Sequence, residues 1–269
     1  INKKIIQSEA TKKEISETKF INYVIGDPYY IEGVKYIPKE DYEYNEIGLA
    51  SFYGKELHNK STINNDYNKV TELLGRHKTL PIPSIVKITN LDNGLSITVK
   101  INDRHTENST LIEVSRKSAQ LLKFYKKKIA KVRVEILSDP SKQMKIVSQS
   151  MNESNFNETI DSAPTEDVII SNIDQDLEKN DKKQYIEELV EISQEEINDQ
   201  KLFLKIYSFK SYNDIKSTIA EMNLSYKFTT QNDGNMYSLI IGPLENLEAN
   251  NLVLTFISKG YKKTEFILE

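Results

Sequence analysis

One stretch of the sequence, IPSIVKITNLDNGLSITVKIND (82–103), restricts the fold more than any other part of the chain. Apolar residues alternate with polar ones on both sides of a central Asn-Leu-Asp-Asn-Gly. Alternation with a period of two predicts strands with one buried face. Asp92, Asn93 and Gly94 accept the backbone angles of a tight turn, so the stretch predicts a β-hairpin.

The surrounding sequence shows the same pattern of short strands. From Phe20 onward, short β-type runs broken by Gly, Pro and Asn include YVIGDPYYIEGVKYIP, GLASFYG and a last strand in KKIAKVRVEIL. One helix is predicted in SRKSAQLLKFY, with Ser115 as its N-cap. Many short strands with one or two helices indicate a small β-barrel over residues 20–138. Residues 1–19 are polar without a clear period, which predicts a mobile N-terminal arm.

Residues 139–200 differ from the rest of the chain in charge. They hold 16 acids and 5 lysines, a balance of −11, which leaves +7 on the remainder because the whole chain carries −4. A segment rich in Ser, Asn, Asp and Glu and poor in aromatic residues buries too little apolar surface to fold, so we predict an acidic disordered linker. The apolar spacing in KKQYIEELVEISQEEIND (182–199) also allows a helix there.

Residues 201–269 return to a globular pattern with a different rhythm. The apolar runs alternate as strand, helix, strand, strand, helix and strand. This βαββαβ order with antiparallel pairs is the ferredoxin-like arrangement. The predicted fold class is therefore mainly β plus α+β: a β-barrel domain, an acidic linker and a second, ferredoxin-like domain.

Composition excludes several kinds of chemistry. The chain has no cysteine, which removes disulfides and thiolate nucleophiles, and its three histidines lack metal-ligand spacing, so we expect no metal and no cofactor. The longest apolar run is far shorter than the roughly 20 residues of a membrane helix. The mildly basic flanks fit an anionic polymer such as cell wall or nucleic acid, or ordinary solubility. No motif supports nucleic-acid binding.

The polar cluster Asp103-Arg104-His105 follows the second strand of the hairpin. If the barrel walls partly bury Asp103, desolvation raises its pKa and suits it to general acid catalysis. If Arg104 pairs with Asp103 instead, the pKa falls and the carboxylate is structural. A third reading is a polar turn that ends a strand.

Several motifs in order resemble one known family. GLASFYG (48–54), TLPIPSIVKITNLDNGLSITVKINDR (79–104), IEVSRKSAQLL (112–122) and KVRVEIL (131–137) are together similar to the rare lipoprotein A (RlpA) family of bacterial envelopes. The resemblance implies a double-psi β-barrel, export to the periplasm or outer membrane, and lytic transglycosylase activity on peptidoglycan. In the tail, LKIYSF (204–209) and YSLIIGP (237–243) resemble a SPOR domain, which implies binding to glycan strands stripped of stem peptides at division septa.

The implied reaction needs little machinery. A general acid protonates the oxygen between N-acetylmuramic acid and N-acetylglucosamine, and the sugar's own 6-hydroxyl closes a 1,6-anhydro ring. Because this nucleophile is intramolecular, one acid suffices. The resemblance assigns catalytic roles to Asp103 of the NDR motif, to His77, which orients the acid or the sugar or else ties down a loop, and to Asp66, which aligns with a family glutamate. The predicted substrate-binding residues are Tyr53, Arg104, Lys205, Ser208 and Tyr237.

Two departures from the family pattern favour a second hypothesis. Where active members carry Thr-Ala-Asn-Gly-Glu followed by an aromatic residue and Asp, this chain has TINNDYN (62–68), so the second aspartate aligns with Lys69, or with Asn68 if the loop slips. After NDR, Gly-Pro-Phe is replaced by His-Thr-Glu, which makes His105 a local substitution. The alternative is a non-catalytic, peptidoglycan-binding septal protein with a degenerate site.

The resemblance also implies a cellular setting. We expect a monomer in the periplasm or cell envelope, enriched at the septum, whose partners are denuded peptidoglycan strands and not nucleic acid. An outer-membrane lipid anchor upstream of Ile1 is a further expectation from the family.

Overall fold

The computed structural model describes residues 21–157, 191–196 and 200–269. The arm predicted for residues 1–19 lies outside these ranges, as does most of the helix considered for residues 182–199. Within the described ranges, no helix combines the length and the apolar character needed to cross a membrane.

The N-terminal domain is a closed six-stranded barrel. Its strands are β3 (Asn45–Phe52), β4 (Leu74–His77), β5 (Ser84–Asn90), β6 (Leu95–Asp103), β7 (Ile112–Val114) and β8 (Ala130–Ile136). They follow one another around the ring in the order β4-β7-β3-β8-β5-β6, and β6 pairs with β4 to close it. Two of the pairings, β3 with β7 and β4 with β6, are parallel, so the chain crosses the barrel instead of meandering around it. The predicted double-psi β-barrel is confirmed.

The predicted hairpin joins β5 and β6. Ser84 lies opposite Ile101 and Thr89 lies opposite Ser96, and the turn residue Gly94 adopts a φ of +74°. The Gly94 N–H donates to Asn90 O at 2.8 Å, which closes the turn. The inward residues of both strands join one core whose buried members include Val86, Ile88, Ile97, Val99, Ile101, Ile112, Val114, Val132 and Val134.

A smaller hairpin precedes the barrel and packs on its outside. It consists of β1 (Tyr29–Ile31) and β2 (Val34–Tyr36), with Gly33 at a φ of +79° in the turn. The Tyr29 hydroxyl donates to Lys78 O, and the Tyr36 hydroxyl donates to Asn108 Oδ1, both at 2.8 Å. These bonds fix the hairpin to the loops that follow β4 and β6.

Two helices accompany the barrel. Helix α1 (Arg116–Leu121) begins at the predicted cap, where the Ser115 side chain accepts from the Ser118 N–H. Helix α2 (Ser138–Asn157) differs from the prediction, because this part of the acidic segment was expected to be disordered. Pro140 lies in its first turn, where a missing N–H costs nothing. The helix docks on β5, since Ser141 Oγ accepts from Ile85 N at 2.9 Å and donates to Ile85 O at 3.1 Å.

A second part of the acidic segment also joins the barrel. Strand β9 (Ser193–Gln194) pairs antiparallel with Leu95 and Ser96 at the start of β6. The residues described between 191 and 196 are therefore not helical. The composition of the segment did not predict the contact of α2 with β5 or that of β9 with β6, because backbone hydrogen bonds to an existing strand require few apolar side chains.

The C-terminal domain has the predicted βαββαβ order. Its elements are β10 (Leu202–Phe209), α3 (Tyr212–Glu221), β11 (Phe228–Asn232), β12 (Tyr237–Leu244), α4 (Asn246–Ser258) and β13 (Thr264–Leu268). The antiparallel sheet runs β11-β12-β10-β13, which is the ferredoxin-like arrangement. Both helices pack on one face of this sheet over a separate core.

The two domains share an apolar contact. Leu49 points outward from β3, is fully buried and belongs to the core of the C-terminal domain. Val34 and Ile129 pack against the same core. Polar contacts border this patch: Asn246 Nδ2 donates to Asp92 Oδ2, and Lys131 Nζ donates to Gln200 O, both at 2.7 Å.

Candidate active site

A row of polar residues crosses four neighbouring strands of the barrel. Ser51 on β3 pairs with Glu113 on β7, Glu113 with Arg76 on β4, and Arg76 with Asp103 on β6. Ser51, Glu113 and Arg76 alternate with buried residues of their strands, so their side chains lie on the face opposite the core. On β6 the register with β4 shifts between Gly75 and Arg76, and this irregularity brings Asp103 beside Arg76 although Ile101, two residues earlier, belongs to the core. We refer to Ser51, Glu113, Arg76 and Asp103 as the polar row.

Asp103 is the residue of the row with the most donors around it. Its Oδ1 accepts from the backbone N–H of Arg104 at 2.9 Å and of Ile63 at 3.3 Å, and its Oδ2 accepts from Asn68 Nδ2 at 2.9 Å. The Arg76 Nε lies 3.4 Å from Oδ2. Because 14% of the Asp103 side chain is exposed, the carboxyl group is enclosed but still reachable from solvent.

Arg76 and Glu113 form an ion pair beside Asp103. Arg76 donates through one terminal nitrogen to Glu113 Oε2, and the two side chains are only 12% and 13% exposed. Burial raises the pKa of Glu113, while the charge of Arg76 and its hydrogen bond oppose that rise. The guanidinium therefore lies between two carboxyl groups.

Asp66 lies in the loop that covers the end of β6. Its Oδ2 accepts from Lys100 Nζ at 2.8 Å, and its Oδ1 accepts from Tyr67 N at 2.8 Å. Burial alone would raise the pKa of Asp66, but the hydrogen bonds and the charge of Lys100 lower it below its usual value. The same loop reaches Asp103 through Ile63 and Asn68, so the structure brings the two predicted acids to one loop–strand junction.

His77 does not occupy the role predicted for a catalytic residue. It follows Arg76 on β4, so its side chain points to the other face, where 1% of the residue is exposed. Its Nδ1 accepts from Thr79 N and Leu80 N, which leaves Nε2 as the donor to the Tyr44 hydroxyl at 3.0 Å. Burial holds the His77 pKa well below its usual value. His77 is a neutral residue that fixes the loop after β4, the alternative left open by the sequence.

Two predicted substrate-binding residues are also structural. Arg104 is buried, and its guanidinium donates to the carbonyl oxygens of His77, Leu80 and Ile25. These contacts turn it away from both Asp103 and solvent, so neither sugar binding nor a pair with Asp103 is possible in this arrangement. Tyr53 is 1% exposed and donates to Lys69 O at 3.3 Å. It is a core aromatic residue and presents no face to a glycan.

His105 lies behind the polar row. It is fully buried, its Nε2 lies 2.6 Å from Thr110 Oγ1, and its Nδ1 lies 3.8 Å from Glu113 Oε2. Burial lowers its pKa to about 3, with the nearby lysine and arginine charges adding to the effect. The imidazole is therefore uncharged at neutral pH.

The three contacts predicted in the C-terminal domain do not lie together. Lys205 lies on the sheet face away from the helices, where its Nζ donates to Gln231 Oε1 at 3.0 Å and lies 4.7 Å from the Tyr207 ring centroid. Ser208 is exposed at a bulge in β10 with a φ of +75°. Tyr237 packs against the domain core. The structure thus leaves Lys205 and Ser208 accessible and does not place Tyr237 with them.

Sequence reasoning missed three contributors to the barrel site: Arg76, Glu113 and Asn68. The sequence neighbours of Arg76 and of Glu113 are buried. This alternation indicates that both side chains lie on the outer face, but it does not predict that they contact each other. Their meeting depends on the β4–β7 and β4–β6 pairings. In the described parts of the chain, no group of three histidines, aspartates or glutamates is arranged to hold a metal ion.

Comparison with known proteins supports the family resemblance of the barrel domain. A family model described as lytic transglycolase matches residues 45–134, which contain the polar row and the Asp66 loop. The endolytic peptidoglycan transglycosylase RlpA of Rickettsia bellii is 40% identical over 119 residues, covering 43% of this chain and 52% of that protein. The barrel domain is RlpA-like. The resemblance that the sequence motifs indicated is thereby confirmed over this part of the chain.

Relatives from other bacteria match the same RlpA-like barrel. The RlpA of Pseudomonas aeruginosa (strain UCBPP-PA14) is 39% identical over 114 residues, covering 42% of this chain and 33% of that protein. The RlpA of Neisseria meningitidis serogroup B is 38% identical over 109 residues, covering 40% of this chain and 46% of that protein. The matches thus span between a third and about half of the relatives' own lengths.

Proposed function

We propose that the chain is an endolytic peptidoglycan transglycosylase, and that Asp103 on its RlpA-like barrel acts as the general acid. One observation carries the proposal: a partly exposed carboxyl group ends β6 inside the segment that matches the lytic transglycolase family. The names of the relatives state the same reaction class. The bonds cleaved would be those between N-acetylmuramic acid and N-acetylglucosamine.

The hydrogen bonds of Asp103 identify the oxygen that would deliver the proton. A carboxyl oxygen offers about two lone-pair positions, and two backbone N–H groups occupy those of Oδ1. Oδ2 receives one amide donor and keeps one free position. The proton on Oδ2 would pass to the bridging oxygen as the bond from that oxygen to the anomeric carbon breaks. The sugar 6-hydroxyl oxygen would then bond to that carbon, and its proton would return to Asp103.

The loop between Ser61 and Asn68 supplies an apolar rim beside this carboxyl group. Ile63 and Tyr67 expose 51% and 41% of their surfaces, and the Ile63 N–H contacts Asp103 directly. Exposed aromatic and aliphatic surface next to a reactive polar group is typical of a binding site. We propose that Tyr67, rather than the buried Tyr53, stacks against a sugar ring.

We further propose that the C-terminal domain is a SPOR domain that holds denuded glycan strands, with Lys205 and Ser208 among its contacts. Its βαββαβ fold and the accessible sheet face around Lys205 support this role. Such a function places the protein in the periplasm or cell envelope, enriched at the septum. A monomeric state and a lipid anchor upstream of Ile1 belong to the same proposal.

The proposal is tested by incubating purified protein with amidase-treated sacculi and measuring 1,6-anhydro products by mass spectrometry. We expect products from the parent and at least about a hundredfold slower release from Asp103→Asn, the usual scale for a lost general acid. Glu135→Gln is the matched control, because it removes a charge from β8 outside the polar row. Products absent from the parent, or unchanged in Asp103→Asn, would overturn the assignment.

One observation favours the non-catalytic alternative. Three N–H donors contact the Asp103 carboxyl group and a guanidinium lies beside it, so both of its oxygens already have protein partners, as in a structural carboxylate. A wall-binding protein without activity would sediment with denuded sacculi and release no anhydro sugar. The same incubation therefore separates the two functions when the pellet is assayed for protein.

A further inference from the structure

Arg76 is held in an unusual position between Asp103 and Glu113. Its terminal nitrogen donates to Glu113 Oε2, while its Nε lies 3.4 Å from Asp103 Oδ2. The Nε–H is buried and has no hydrogen-bond partner among the described residues. Glu113 thus fixes the guanidinium so that one unsatisfied N–H lies next to the carboxyl group of Asp103.

We infer that Arg76 and Glu113 act together as positioning residues for Asp103: Glu113 balances the charge of Arg76 while Asp103 holds its proton, and Arg76 stabilises the carboxylate after the proton leaves. This inference rests on the proposed function. It gives the unsatisfied Nε–H a partner at the moment when Oδ2 becomes negatively charged. A preoriented donor aimed at developing charge is the usual form of electrostatic stabilisation in enzymes.

The charge balance of the polar row supports this division of roles. When Asp103 is protonated, the positive charge of Arg76 is matched by that of the Glu113 carboxylate, and the row is neutral. Without the Glu113 charge, an uncompensated guanidinium would face Asp103 and favour its ionised form. Burial of Glu113 makes its negative charge dependent on Arg76, which couples the two side chains.

Glu107 and Glu56 also face Glu113, and their charges add to the rise of its pKa. Several other charged groups around the polar row are paired or neutral. Asp66 and Lys100 form an ion pair on the loop and on β6, and the Arg104 guanidinium bonds to backbone carbonyl groups. His105, which lies beside Glu113, is uncharged at neutral pH because burial lowers its pKa. Arg76 and Glu113 are therefore the charged pair that we expect to act most directly on the Asp103 carboxyl group.

The test measures the charge state of Asp103 without relying on catalysis. A carbon-13 NMR titration of the Asp103 carboxyl group in the full chain compares the parent with Glu113→Gln, Arg76→Gln and the double variant. We expect the Asp103 titration midpoint to fall by about one pH unit in Glu113→Gln, the lower end of the range for an opposite charge at this distance. It should rise in Arg76→Gln and return towards the parent value in the double variant.

Activity gives a second, separate readout. The alkaline limb of the rate of anhydro-sugar release should move to lower pH in Glu113→Gln, while Glu135→Gln keeps the parent profile. If the Asp103 titration midpoint keeps its parent value in both Glu113→Gln and Arg76→Gln, the inference is overturned, even if the parent is an active enzyme. A parent without activity would overturn the proposed function, and the titration would still decide the role of the pair. Circular dichroism establishes that each variant is folded before it is titrated.

Discussion

The side-chain amide of Asn68 donates to Oδ2 of Asp103 at 2.9 Å. In the family pattern an aspartate aligns with Lys69, or with Asn68 if the loop slips, and the structure places Asn68 rather than Lys69 against the candidate acid. Lys69 instead pairs with Glu72 on the exposed side of the loop. This chain therefore places a neutral donor beside Asp103, where a second carboxyl group would share a proton with Asp103 or repel its negative charge.

The contact predicts the effect of restoring that carboxyl group. In Asn68→Asp, two carboxyl groups would lie within hydrogen-bond distance, and like charges so close prevent both from ionising. We expect the thermal midpoint of the variant to fall relative to the parent at pH 7 and to approach the parent at pH 4.5, where one proton is shared. Asn65→Asp, the same change in the same loop, is the control. Equal losses at both pH values would contradict the prediction.

The ion pair between Asp66 and Lys100 predicts a second pH effect. The Asp66 pKa is lowered in the folded protein, so the pair stabilises the fold above the unfolded pKa and its contribution is lost as pH falls through the folded pKa. Lys100→Met removes the partner, and we expect a loss of about 1–3 kcal/mol at pH 7 that shrinks towards pH 3. Urea unfolding at both pH values measures it. Lys60→Met, a change at an exposed lysine of the same loop region, should show no such trend.

The buried His105 predicts a third dependence on pH. Its folded pKa of about 3 lies below the unfolded value of about 6.5, so the unfolded chain binds a proton first as pH falls. Stability is complete above about pH 6.5 and should decline by about 2 kcal/mol per such histidine between pH 6.5 and pH 5. We expect His105→Gln to have a shallower decline in urea unfolding. His58→Gln, at an exposed histidine, should keep the parent slope.

The sequence predicts much of this architecture because its local and long-range preferences agree. The alternation in 82–103 and the turn at Gly94 specify β5, β6 and their register, and Ser115 caps α1 where the side-chain chemistry indicates. The acidic segment is different. Helix α2 and strand β9 are stabilised by contacts with β5 and β6, and the composition of the segment indicates neither contact.

The candidate site was only partly predictable for a related reason. Motif resemblance identified Asp103 and Asp66, which the structure brings to one junction. The sequence also led us to predict roles for His77, Arg104 and Tyr53, whose polar atoms bond to backbone groups instead. A sequence position gives the residue type but not the direction of the side chain. Whether a histidine or arginine faces a groove or the loop behind it depends on strand pairing.

The bulge at Ser208 predicts a stabilising change in the C-terminal domain. Ser208 has a φ of +75°, in a region where a side chain is strained and glycine is not. We expect Ser208→Gly to stabilise the protein by about 1 kcal/mol, the scale of the cost that a Cβ atom adds in the left-handed region. Thr229→Gly on β11, an exposed position of the same sheet, should destabilise it instead. A loss of stability in Ser208→Gly, measured by thermal unfolding, would contradict this account.

The outward-facing Leu49 predicts energetic coupling between the domains. Its side chain belongs to β3 of the barrel but is fully buried in the core of the C-terminal domain. We expect Leu49→Ala to cost about 2–3 kcal/mol, within the range for a leucine truncated in a core, and to speed hydrogen exchange at Leu202 and Leu204 on β10. Ile37→Ala removes an apolar side chain that is 55% exposed and should change stability by less than about 0.5 kcal/mol. If both variants lose the same small amount and exchange on β10 is unchanged, the domains do not stabilise each other, and the glycan-holding and cleaving surfaces would act as independent units.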